Sequence, residues 1–157
     1  MRLPVFAPAL MPIASRSGIG RLVLVLVAAA ALMVGLAPWD TASSQAAVQA
    51  DPELAMLMRF MAALKGSMAL AGLALIGWRL GYETSPRLNL AYLATAALLV
   101  SGSGFIWRIN TVVEGAIAFH AGLGLLIFLG CVDSGVHAAL GRSAANRRTT
   151  ASPRVRH

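Results

Sequence analysis

Two residues in this sequence, Lys65 and His120, sit where ionisable side chains are expensive. Each lies well inside a long apolar run. Placing a charge at the centre of a membrane-spanning helix costs about 2.5–3.5 kcal/mol even on the lenient insertion scale, so such residues usually face a neighbouring helix or a functional site. Lysine and histidine both exchange protons and bind anions. Ser101 and Glu114 complete the set of polar groups that could join them. If the runs are helices of alternating direction, Lys65 is about 12 Å and His120 about 10 Å from the same end, at 1.5 Å rise per residue. Ser101 falls at a similar level. The residues three, four or seven positions from Lys65 (Ala62, Ala69, Gly72) and from His120 (Ala116, Gly124, with Cys131 and Ser134 further along) are small. Small residues line helix contacts in lipid, so both side chains are expected to point at neighbouring helices. Glu114 is on another face from His120 and could meet Lys65 or Arg59 across helices.

The functional reading of this constellation is a proton- or anion-binding site. The structural reading is that Lys65 reaches along its helix to an interface and His120 bonds a nearby carbonyl. A haem site would need a second histidine at the same depth. His137 lies seventeen positions beyond His120, near the far boundary, which leaves a histidine pair across subunits as the haem reading. No second good metal ligand stands beside His120, no nucleophile–base pair is recognisable, and no phosphate loop or dinucleotide fingerprint occurs. No cofactor is therefore expected. The lone Cys131 reads as a small apolar packing residue.

The elements that must hold these residues follow from composition. Of 157 residues, 58% are hydrophobic and 12% charged, where a soluble domain carries about a quarter charged. The predicted class is an all-α integral membrane protein, a four-helix transmembrane bundle with helices at about 19–38, 54–80, 88–108 and 112–140. Residues 1–18, with Pro4, Pro8, Pro12 and Gly18, read as a basic flexible lead-in, 19–140 as the membrane domain, and 141–157 as a basic disordered tail. Asp51-Pro52-Glu53 is a helix start: a capping carboxylate, a proline at the first position and an acid at the positive dipole end. Residues 40–53 before it read as a polar connection and Pro86 as the breaker of a loop. Ser101-Gly102-Ser103-Gly104 marks a kink or a close-packing point.

Charge sets the orientation. With the N-terminus inside, Arg2, Arg16, Arg21, Arg79, Arg87, Arg142, Arg147, Arg148, Arg154 and Arg156 lie on the inner side and only Arg59 and Arg108 on the outer, a bias the positive-inside rule reads as N-in/C-in. Trp39 and Trp107 then mark the outer interface, Trp78 and Tyr82 the inner. One alternative concerns the first run. Ser44-Gln45-Ala46 before Ala47 resembles a signal-peptide cleavage site, and cleavage would leave three helices with the same orientation. The formal charge of +7 belongs to these topology determinants rather than to a nucleic-acid footprint, since no stacking aromatics are interleaved with it.

The expected role is a non-catalytic accessory or structural subunit of a cell inner membrane, multi-pass, packing in the lipid bilayer with itself or with a larger membrane partner. Ala31 with Gly35, and Ala63 with Ser67 and Ala71, are the faces that suggest it. The rival is a small proton- or anion-coupled transporter using Lys65 and His120, and the third reading is a haem-binding redox subunit.

Overall fold

Helix starts and stops are written locally. The structure, a computed structural model, describes residues 14–37, 41–82, 84–136 and 138. Five helices follow in order: α1 (Ala14–Leu36), α2 (Thr41–Ala50), α3 (Pro52–Arg79), α4 (Pro86–Trp107) and α5 (Val112–Val132). Four of them, all but α2, are long and apolar enough to cross a membrane. The protein is therefore all-α with four candidate membrane spans.

Asp51 caps α3 as its position implies: its Oδ1 accepts from the Leu54 amide at 2.9 Å, with Pro52 first in the helix and Glu53 in its first turn. Ser85 does the same for α4, accepting from the Leu88 amide at 3.3 Å. Pro86 is thus the first residue of α4, not a loop breaker, because its missing amide hydrogen would have had no helical partner there.

Three further boundaries depart from expectation. α1 begins at Ala14, so part of the predicted flexible lead-in is helical; no proline lies between Pro12 and Pro38, and a glycine such as Gly18 costs only about 1 kcal/mol in a helix. The predicted polar connection contains α2, whose alanines are strong helix formers and which packs against α3. At the other end α5 stops at Asp133, whose ψ of 98° leaves the helical region, and helix resumes over 134–136. The rest of the predicted lead-in, and the tail from 141, lie outside the described residues.

α4 is the central helix. It packs against α1, α3 and α5, and it carries the largest share of buried positions, including Tyr92, Thr95, Ala96, Leu99 and Ile106. α1 runs parallel to α4, since their C-terminal residues Gly35 and Gly104 adjoin; α3 and α5 run the other way. The Ser101–Gly104 segment is a close-packing point on two faces at once. A Cβ added to Gly104 would lie 3.0 Å from the Gly35 backbone of α1, and one added to Gly102 would lie 2.6 Å from the Phe119 amide nitrogen of α5. Between those contacts Ser101 and Ser103 donate to the carbonyls of Ala97 and Val100, so their hydroxyls are satisfied inside α4.

The Gly102 contact predicts opposite outcomes for two glycines. Gly102→Ala forces backbone apart and should destabilise the folded protein by about 1–3 kcal/mol. Gly124, with nothing within 4 Å of an added Cβ, should tolerate alanine with an unchanged or raised melting temperature. Helical circular dichroism melts in detergent measure both.

Candidate functional site

The expected constellation does not assemble in one place. Lys65 is half-buried on α3, with its Nζ 5.3 Å from the centre of the Phe119 ring on α5, a distance suited to a cation over an aromatic face. His120, next along α5, turns away: it is exposed, and its Nδ1 meets the Ala116 carbonyl at 2.7 Å. The expectation that His120 faces a neighbouring helix is corrected here. α5 carries two stripes of small residues, and the one holding Gly115 and Gly122 takes the contact with α4, because their missing side chains admit its backbone. The stripe of Gly124, Cys131 and Ser134, which His120 shares, is left outside. Ser101 lies against Gly35 of α1. Glu114 is exposed in the first turn of α5, favourable at the positive end of the helix dipole, and forms no ion pair with Lys65 or Arg59. His137 lies outside the described residues.

The polar site that does form was not anticipated. Arg79 at the end of α3, Tyr92 in the second turn of α4 and Asp133 just beyond α5 are all buried. Because the backbone at Asp133 leaves the helix, its carboxylate can accept from four donors. Arg79 donates through Nε at 2.5 Å and Nη2 at 3.0 Å, Tyr92 Oη donates at 3.0 Å and the Gly135 amide at 2.9 Å. The Arg79 fork holds the Asp133 carboxyl below its ordinary value, outweighing the opposing effect of burial, and the Tyr92 and Gly135 donors add to it. Such a carboxylate is a fixed anion and not a proton acceptor near neutrality. It ties the ends of α3, α4 and α5 together. Beside it, Arg21 of α1 donates from Nε to the Gly77 carbonyl at 3.3 Å. Sequence reasoning had read Arg79 only as a topology charge and Asp133 only as a helix stop. The usable signal was an acid on the side otherwise occupied by arginines, at the level where α3 also ends.

A third feature is apolar. α1 meets α3 near the Arg79 end, where Gly20 approaches Leu80 and Leu24 approaches Gly77. Beyond that the helices part, leaving a cleft of about 840 Å³. Its walls are residues such as Ala28 and Ala29 on α1 and Ala63, Gly66 and Ser67 on α3, and Val100 and Ser103 of α4 lie at its base. The hydroxyls of Ser67 and Ser103 donate to the carbonyls of Leu64 and Val100, so the cleft presents little free hydrogen-bonding capacity. Of the two small-residue faces read from sequence, Ala31 and Gly35 are buried within the bundle, while Ala63, Ser67 and Ala71 are exposed. Among the described residues no three His, Cys, Asp or Glu side chains gather as a metal site.

No known protein family, curated protein or solved structure matches this chain.

Removing one partner of the buried ion pair should be severe. Asp133→Asn or Arg79→Gln is expected to cost about 3–5 kcal/mol by leaving a buried charge uncompensated. Because the folded Asp133 carboxyl titrates below its ordinary value of 3.8, its contribution is present above about pH 4 and is lost as pH falls through the lower, folded value. Melting temperatures measured from pH 7 downward should show this acid loss in the parent and not in Asp133→Asn.

Proposed function

We propose that the chain is a multi-pass accessory subunit of a cell inner membrane, without catalytic activity of its own, whose α1–α3 cleft receives a transmembrane helix of another chain. The cleft is the observation that carries this reading. Lipid tails are as apolar as leucine, so helices associate in a membrane through close van der Waals packing, and small residues allow it. Ala28, Ala29, Ala63, Gly66 and Ser67 supply such a surface on two helices that diverge around it.

Insertion in a bilayer is supported by what covers the outside. Leu22, Met33, Met56, Phe60, Leu90, Val113, Ile117 and Phe128, on all four long helices, are each at least 60% exposed, an abundance of outward apolar side chains that water-soluble monomers avoid. The arginine asymmetry supports an orientation with Arg21, Arg79 and Arg87 on the cytoplasmic side and both termini inside. Trp78 and Tyr82, edge to face at 5.4 Å, then lie at the inner interface and Trp107 at the outer. The packing of Gly35 against Gly104 supports reading α1 as a retained helix.

Photocrosslinkers at Ala28 and Gly66 in native membranes test the proposal, with Ile127 on the exposed face of α5 as control. The expected result is a discrete protein adduct from the two cleft positions, none from Ile127, and loss of the Ala28 adduct in Gly66→Leu. The fold should tolerate that substitution, as nothing lies within 4 Å of a Cβ at Gly66. A second copy of this chain and a different membrane protein would each support the reading. Lipid adducts alone, or a protein adduct insensitive to Gly66→Leu, would overturn it.

A further inference from the structure

At the Trp107 end the connections build a second cavity. α2, the start of α3 and the turn between α4 and α5 border an open pocket of about 330 Å³. Two arginines from different elements line it, Arg59 of α3 and Arg108 of the turn, with Gln45 and Gln49 of α2 beside them and Leu36 as part of an apolar wall. Neither arginine forms a salt bridge with a carboxylate among the described residues, in contrast to Arg79. Two like charges lining one pocket repel, and an anion between them would remove that repulsion.

Both cations are positioned. The Arg59 guanidinium lies over the Trp107 ring, 6.0 Å from its centre, which restrains a side chain that would otherwise extend into solvent. Arg108 sits in an unusual turn. Its carbonyl accepts from the Asn110 amide at 2.8 Å, across Ile109 at a φ of 68°. This γ-turn of positive φ is rare and strained, and more so for a β-branched residue. Asn110 Nδ2 donates to Ser43 Oγ at 3.0 Å, and Thr111 Oγ1 to the Phe105 carbonyl at 2.8 Å. The turn is thereby fixed to α2 and to the end of α4. Strain held in this way concentrates at ligand clamps. Ile109 itself lines the cavity.

We propose that this pocket binds a phosphate group, with Arg59 and Arg108 as its cationic ligands and Gln45 and Gln49 as neutral donors. Guanidinium forks match phosphate oxygens in pairs. The apolar wall beside the arginines suits an amphiphile whose phosphate sits at the level of Trp107, and a free phosphate ion shares the same polar chemistry. The site is separate from the α1–α3 cleft and does not depend on what fills it.

Native mass spectrometry of the purified full chain tests the proposal, using palmitoyl-oleoyl phosphatidylglycerol and inorganic phosphate as probes and helical melts to establish folding. The parent should retain phosphatidylglycerol, and Arg59→Gln with Arg108→Gln should weaken retention about tenfold or more, the loss expected for charge-assisted hydrogen bonds. Arg87→Gln, which removes one such charge elsewhere and so matches Arg59→Gln alone, should leave retention unchanged. Lipid retained in the presence of millimolar inorganic phosphate identifies a headgroup site. Lipid displaced by phosphate, with the parent melt raised and the double variant unmoved, identifies a free-ion site. Equal retention by parent and double variant with no phosphate effect on either, or an equal loss in Arg87→Gln, overturns the proposal. If the double variant does not fold, Arg59→Gln alone makes the same comparison at an exposed position.

Discussion

Backbone must come close to backbone on two sides of α4, and the rest of the bundle depends on that approach. Gly104 meets Gly35 of α1, and two residues earlier in the chain Gly102 meets Gly115 and Phe119 of α5. Wherever lipid surrounds the helices, exchanging a lipid contact for a helix contact yields little hydrophobic gain. Association then rests on dispersion forces that fall away within an ångström of lost contact. Glycines two residues apart, on nearly opposite faces, let one helix serve two partners. The serines between them bond to their own helix and so do not disturb the approach.

The buried ion pair acts at the other end of the same bundle. Desolvating an arginine and a carboxylate is costly, and the pair is tolerable only when the remaining hydrogen-bonding capacity is met. Asp133 meets that condition with donors from α3, α4 and the chain after α5, and no buried side-chain nitrogen or oxygen among the described residues lacks a partner. Glycine contacts fix how near the helices lie; the carboxylate fixes their register at the Arg79 end. Between the two, α1 and α3 are joined at one end and separate toward the other, which is why a cleft opens there.

Much of the fold was legible from sequence because its determinants are local or compositional. The four spans follow from uncharged length, the α3 start from Asp51 and Pro52, and the role of Gly102 and Gly104 from small residues in an apolar run. What escaped depends on three-dimensional placement. α2 lacks long apolar character, so it resembled a linker. α5 carries two small-residue stripes, one of them shared by His120, and periodicity alone could not say which one meets α4. The Arg79–Asp133 pair joins the ends of two helices far apart in sequence, a juxtaposition that periodicity within either helix does not reveal. The Trp107-end pocket depends on α2 and on the turn at Ile109, neither of which the spacing of residues announces.

These features share one premise, that hydrocarbon is the solvent of the outer helix faces. The most direct measurement is partition of the expressed chain, free of any fusion, during high-speed centrifugation of cell membranes washed with alkaline carbonate. The account predicts that the protein stays in the pellet and is released only by detergent. Recovery of folded, helical protein in the detergent-free supernatant would contradict it.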